Sequence, residues 1–213
     1  MKKLDTALYL ITDSTGFSES EFLKRVESAI TGGVTLLQLR EKEKTTCKYI
    51  ELAKKVRLLT ERHNIPLIID DRLDVALASG ADGVHLGRDD MPIDVARKIA
   101  GENFIIGATA KTVEAAKQAF EDGADYLGVG AIFPTTTKVK TVITPIATLR
   151  DICRAVPIPA NAIGGLNSGN IDILKNTGIS GICVVSAIMK SENPEACARM
   201  LLKKAREVVG CDK

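Results

Sequence analysis

One phrase recurs along this 213-residue chain and narrows its architecture more than any other feature. A segment with helical patterning ends at glycine, a few residues pass, and a short apolar run begins. It appears at Gly32-Gly33-Val34-Thr35-Leu36-Leu37 and at Gly80-Ala81-Asp82-Gly83-Val84-His85-Leu86. It returns at Gly123-Ala124-Asp125-Tyr126-Leu127-Gly128-Val129 and at Gly178-Ile179-Ser180-Gly181-Ile182-Cys183-Val184. Glycine reaches the left-handed conformation that closes a helix, and the run after it suits a parallel strand buried on both faces. The glycines at 32, 80, 123 and 178 lie 48, 43 and 55 residues apart, about two βα units each. That period predicts eight strands.

The strands fall near 8–12, 35–41, 66–70, 83–87, 104–109, 126–132, 159–164 and 181–186. Helices are expected near 18–31, 45–63, 72–79, 92–100, 111–121, 145–155, 168–177 and 193–208. Ser18 with Glu21, and Ser168 ahead of Ile171, read as N-terminal helix signals. Pro92 and Pro145 suit a first helical turn, where no donor is lost. No linker or low-complexity tract divides the chain, so residues 1–213 are expected to form one α/β domain with a parallel sheet. A doubly wound sheet is the competing arrangement, but no G-x-G-x-x-G follows the first strand. The expected fold is a single-domain (β/α)8 TIM barrel, at the short end for that architecture.

Composition removes several function classes. With 29 basic and 27 acidic residues the net charge is +2, so no general affinity for polyanions follows. Aromatics make up 4% and Trp is absent, leaving little to stack on bases; no nucleic-acid role is expected. The N-terminal MKKLDTALYLITD is interrupted by Asp5 and Asp13, and predicts neither a signal peptide nor a membrane span. Cys47, Cys153, Cys183, Cys197 and Cys211 are odd in number and contain no C-x-x-C pair, which suggests free thiols in a reducing, cytoplasmic setting.

Charged clusters sit at the predicted strand exits. Asp70 and Asp71 close PLIIDD, and Asp89 and Asp90 close GVHLGRDD. Gln38, Arg40 and Lys42 alternate along the second predicted strand and would point to one side, with Leu37 and Leu39 on the other. Arg offers a fork for phosphate oxygens and Lys a compact charge, although Glu41, Glu43 and Lys44 also fit a strand running out into solvent. Asp71 and Asp90 leave neighbouring strands, and Mg²⁺ favours one or two carboxylates completed by water and phosphate; helix caps or surface charges are the alternative. Phe133-Pro134-Thr135-Thr136-Thr137-Lys138 forms a second candidate anion loop, after a strand in which Gly128 and Gly130 leave room inside the barrel. Gly164-Gly165 and Val185-Ser186 end the seventh and eighth strands, where barrels commonly bind phosphate through backbone donors. His85 reads as an interior strand histidine, and no Ser–His–Asp set, zinc spacing or Walker A loop is present.

Taken in order, YLITD at 9–13, QLREK at 38–42, DD at 70–71, HLGRDD at 85–90, the TTTK loop, AIGGL at 162–166 and VVSAI at 184–188 resemble thiamine-phosphate synthase. The match runs over almost the whole chain. The resemblance implies a Mg²⁺-dependent TIM-barrel transferase that joins a pyrimidine-methyl diphosphate to a thiazole ethyl phosphate and releases diphosphate. Carried over by position, it implies that Gln38, Leu39, Arg40, Glu41 and Lys42 hold the pyrimidine diphosphate, helped by Asp70, Thr109 and Lys138. It makes Asp71 and Asp90 the metal ligands, and Thr135, Thr136, Thr137, Gly165, Val185 and Ser186 the thiazole-phosphate site. Arg40, Lys42 and Lys138 would stabilise the leaving group. Small phosphorylated substrates are the expected partners, and whether the chain forms a homo-oligomer stays open.

Three positions depart from the family pattern. Asp70 stands where Asn is usual, Thr109 where Ser is usual, and Asn161 replaces a small or apolar residue. A carboxylate at Asp70 can only accept, and is expected to lean on the cation and not on phosphate. Rival readings are a phosphosugar isomerase or aldolase, and a non-synthase relative such as a thiazole tautomerase or regulatory protein. The first needs a proton-transfer pair or a Schiff-base lysine; the second would lack the metal and diphosphate residues, which this chain retains.

Overall fold

The protein is seen in a computed structural model that describes residues 4–135 and 142–210. Eight parallel strands close into a barrel in sequence order, with the last pairing with the first. They are β1 Leu8–Ile11, β2 Leu36–Leu39, β3 Leu67–Asp70, β4 Gly83–Leu86, β5 Ile105–Ala110, β6 Tyr126–Gly130, β7 Ala160–Ile163 and β8 Gly181–Val184. Around them run α1 Glu19–Thr31, α2 Thr46–Arg62, α3 Leu73–Ser79, α4 Ile93–Ala100, α5 Val113–Glu121, α6 Ile146–Ala155, α7 Ser186–Met189 and α8 Pro194–Val209.

Strand alternation sorts the core into two layers. Leu8, Leu10, Leu37, Leu39, Leu67 and Ile69 face outward and pack under the helices. On α1 that contact comes from Phe22, Val26, Ala29 and Ile30, one apolar stripe at helical spacing. Inside the barrel lie Tyr9, Ile11, Leu36, Ile68, Tyr126 and Cys183. The aspartates of the repeated Gly-Ala-Asp phrase share one task at the far end of the barrel. Asp82 accepts from Leu67 N at 2.7 Å and pairs with Arg57, while Asp125 accepts from Ile106 N at 2.7 Å and pairs with Arg97.

Several boundaries differ from the sequence reading. No full helix spans 168–177; a single 3₁₀ turn, Ile171–Leu174, stands there. Asn167 and Asn170 explain it. Their side-chain oxygens accept from Gly169 N at 2.8 Å and Asn167 N at 2.9 Å, which favours turns over helix, and Asn176 is left-handed at φ 61°. Ser168 caps nothing, whereas Ser18 accepts from Glu21 N at 3.3 Å as expected. Pro92 and Pro145 sit one residue earlier than expected, at the N-cap. The left-handed residue of the first glycine phrase is Gly33, at φ 109°, and not Gly32. Strand β2 ends at Leu39, where Arg40 N turns to Thr12 Oγ1 at 3.2 Å, so Arg40 and Lys42 lie in the following loop and outside the strand alternation. Strand β8 ends at Val184, and Ser186 opens the short α7, which the sequence did not announce.

No helix among the described residues is long and apolar enough to cross a membrane. Cys47, Cys153, Cys183 and Cys197 are free thiols; Cys211 lies outside the described residues.

Candidate active site

The exits of β2, β3 and β4 bring five charged groups together. Asp70 is the last residue of β3 and Asp71 follows it with left-handed backbone, φ 60°, a conformation Asp tolerates better than most residues. Lys42 Nζ lies 2.9 Å from Asp70 Oδ2 and also bonds the Asp71 carboxylate. Arg40 Nε approaches Asp70 Oδ2 at 3.5 Å. From the loop after β4, Asp90 Oδ2 accepts from Gly87 N at 2.7 Å while its carboxyl abuts that of Asp71. Gly87 leaves room for this approach: a Cβ there would stand 2.9 Å from Asp90 Oδ2. A cavity of about 490 Å³ opens beside the cluster, walled by Lys42, Asp70, Asp71, Asp90, Arg72 and Met91.

The electrostatics of this corner are unbalanced toward negative charge. Burial raises the Asp70 carboxyl above its ordinary range and Asp71 pushes it further, against the pull of Lys42 and Arg40. Asp90 is raised too, first by burial, then by Asp71, with the Gly87 N–H opposing. For Lys42, burial works against the charge, but its bonds to Asp71 and Asp70 outweigh that and leave it raised. Three carboxylates with one lysine and one arginine form a site with spare capacity for a cation. Among the described residues no cluster of three or more His, Cys, Asp or Glu forms a self-sufficient metal site. Two hard oxygen donors, Asp71 and Asp90, suit Mg²⁺ completed by substrate oxygens and water, and suit zinc poorly.

The other predicted residues distribute as follows. Gln38 points into the barrel and is buried, donating from Nε2 to the Tyr9 hydroxyl at 2.6 Å. Leu39 is buried in the outer layer, and its carbonyl accepts from Tyr49 Oη at 2.7 Å, so its side chain faces away from the mouth. Glu41 turns to Ser14 Oγ at 3.0 Å and Lys44 Nζ at 3.5 Å. Thr109 is exposed at the mouth on β5 and meets His85 Nε2 at 3.0 Å. Gly165 is left-handed at φ 63° and lies so close to the β6 loop that a Cβ would come 2.6 Å from Pro134 O. This packs the β7 loop against the segment leading to Thr135. Val185 and Ser186 lie at the start of α7, whose first N–H groups have no partner within the helix. Thr136, Thr137 and Lys138 lie outside the described residues.

Two features escaped the sequence reading. Tyr9 and Tyr126 meet hydroxyl to hydroxyl at 2.7 Å inside the barrel, and Tyr126 Oη lies 3.2 Å from His85 Nδ1. Their strand parity pointed inward, but two tyrosines about 117 residues apart gave no sign of touching. Gly107 makes the arrangement feasible, since a Cβ there would sit 2.1 Å from Tyr126 Cζ. Desolvation in the barrel lowers His85 to about 4, against a weaker upward pull from Asp71. Asn161 is also interior and fully buried; its Nδ2 donates to Leu127 O at 3.4 Å, and its Oδ1 has no partner among the described residues. Gly130 gives less free room than expected, because Ile163 fills the space beside it.

The profile of the thiamine monophosphate synthase family, TMP-TENI, matches residues 8–188. A "Thiamine-phosphate synthase 2" of Streptococcus pneumoniae is 52% identical over 202 residues, covering 95% of this chain and 96% of that protein. A "Thiamine-phosphate synthase" of Lacticaseibacillus paracasei is 45% identical over 213 residues, the full length of both. Among solved structures, thiamine phosphate pyrophosphorylase from Pyrococcus furiosus superposes with a TM-score of 0.88 at 42% identity, covering 97% of this chain and 98% of that one.

Proposed function

The chain belongs to the thiamine monophosphate synthase family and is a transferase of that family, and from that premise we propose how its barrel mouth works. It couples 4-amino-2-methyl-5-(diphosphomethyl)pyrimidine to 4-methyl-5-(2-phosphoethyl)thiazole, giving thiamine phosphate and diphosphate. The observation that carries the reading is Lys42 held between Asp70 and Asp71, with Arg40 beside Asp70 and Asp90 against Asp71. A cation–carboxylate cluster of this kind suits a metal-bound diphosphate, and the coupling calls on no nucleophile from the protein.

Asp71 and Asp90 would hold Mg²⁺. When bound, the ion neutralises charge growing on the departing diphosphate. Arg40 and Lys42, with Lys138 as the resemblance implies, would meet the same oxygens through charge-assisted hydrogen bonds. The C–O bond to the pyrimidine methylene breaks, and its electron pair leaves with diphosphate. The electron-rich aminopyrimidine disperses the positive charge left on the methylene, and the thiazole nitrogen lone pair then forms the C–N bond. No proton need be removed in forming that bond, so the coupling asks for no general base. Thr109 at the mouth would place the pyrimidine diphosphate, with the backbone from Leu39 to Glu41 and Asp70 nearby and Gln38 buried below them in the barrel. Thr135, Thr136, Thr137, Gly165, Val185 and Ser186 take the thiazole phosphate. The short helix after β8 supports that assignment, because barrels commonly bind phosphate at such a helix and the loops after strands 7 and 8. Thiamine biosynthesis in the cytoplasm is the fitting setting.

Incubation with both substrates and Mg²⁺ should give thiamine phosphate and diphosphate in equal amounts, measured by mass spectrometry and a coupled diphosphate assay. Omitting the thiazole should suppress diphosphate release. Release at an undiminished rate without it would make the chain a hydrolase and end this reading.

A further inference from the structure

The least expected feature is a hydrogen-bond chain through the barrel interior. Gln38 Nε2 meets Tyr9 Oη at 2.6 Å, Tyr9 Oη meets Tyr126 Oη at 2.7 Å, Tyr126 Oη meets His85 Nδ1 at 3.2 Å, and His85 Nε2 meets Thr109 Oγ1 at 3.0 Å. It starts at a glutamine that is 2% exposed, passes two phenols at 1% and 0%, and surfaces at the mouth through Thr109. Gly107 and Gly128 leave the space it occupies: added Cβ atoms would stand 2.6 Å from His85 Nδ1 and 3.3 Å from His85 Cε1.

Such a chain has a direction. An amide nitrogen only donates, so Tyr9 accepts from Gln38 and gives its own hydrogen to Tyr126. Tyr126 then donates to His85 Nδ1. A neutral imidazole with Nδ1 as acceptor carries its hydrogen on Nε2, which donates to Thr109 Oγ1. The threonine hydrogen is left to point out of the barrel. The opposite order needs the Gln38 amide reversed and Thr109 donating inward, leaving only acceptor capacity at the mouth. Ionised phosphate oxygens only accept, so that order would oppose them.

We propose that Tyr9, Tyr126 and His85 are positioning residues, whose chain fixes His85 as the Nε2–H tautomer and holds Thr109 as an outward hydrogen donor for the anionic leaving group. The role in turnover rests on the reading that the pyrimidine diphosphate lies over Thr109; the tautomer does not. The chain has only two histidines, and His63 is exposed, so long-range ¹H–¹⁵N spectra of the resting protein resolve His85 directly.

A single Nε2–H tautomer is expected in the wild type, and a loss of that purity in Tyr126→Phe. The same variant should lower kcat by roughly threefold to tenfold, the worth of one oriented hydrogen bond, with little change in KM for the thiazole phosphate. In a Thr109→Val background, Tyr126→Phe should add no further loss, because its effect passes through that hydroxyl. Tyr9→Phe breaks the chain one link earlier and should lose the tautomer preference in part, which keeps the test open if Tyr126→Phe does not fold. An Nδ1–H tautomer in the wild type, or an equal loss in both Thr109 backgrounds, would overturn the proposal. A wild type that makes no thiamine phosphate would instead sink the functional reading, while the tautomer still decides the chain's direction.

Discussion

Asp70 concentrates the chemistry of the mouth at a single residue. Its oxygen lies 2.9 Å from Lys42 Nζ and 3.5 Å from Arg40 Nε, so the carboxylate is tied to both cations of the cluster. Burial and Asp71 both disfavour its charge. An amide of the same shape would remove that charge and still reach a phosphate oxygen as a donor. Asp70→Asn should therefore keep activity and reach half-maximal rate at a lower Mg²⁺ concentration, read from initial rates across a Mg²⁺ titration. Abolished turnover in that variant would make Asp70 an indispensable ligand. The sequence revealed Asp70, Asp71 and Asp90 as a group because each follows a short apolar run. It could not reveal that Lys42 bridges Asp70 and Asp71, since that depends on how the chain turns after Leu39.

The repeated glycine phrase made the strands and most helices readable, because helix closure and strand entry are local events written in neighbouring residues. Its aspartates carry a further element-level function. Asp125 ties α4 to the start of β5 through Arg97 and the Ile106 N–H, and Asp82 does the same for α2 and β3. Asp125→Ala should cost about 2 kcal/mol, since charge-assisted bonds to a backbone donor and an arginine are lost together. The site lies at the opposite end of the barrel, so kcat should hold while the urea midpoint falls. An unchanged midpoint would show the pair to be mere surface decoration. What the sequence concealed were elements shaped by side-chain competition, such as the 3₁₀ turn after Asn167, and elements too short for a period, such as α7. Barrel-interior contacts were equally hidden, because Tyr9 and Tyr126 meet only once all eight strands have closed.

Across the molecule, chemistry and stability separate by end. Aspartates at the strand entries anchor helices, and aspartates at the exits gather around Lys42, as expected for a barrel that builds its site on the C-terminal ends of its strands. On the proposed function, Asp71 and Asp90 act as one cation-binding unit for diphosphate departure. The decisive measurement is the single-turnover rate of thiamine phosphate formation against Mg²⁺ concentration, in the wild type, Asp71→Ala, Asp90→Ala and the double variant. Each single variant should lose at least about a hundredfold in rate, and the double variant should be little slower than the worse single one, because the two carboxylates serve one ion. Near wild-type rates in both single variants at limiting Mg²⁺ would show that the two carboxylates hold no ion needed for turnover.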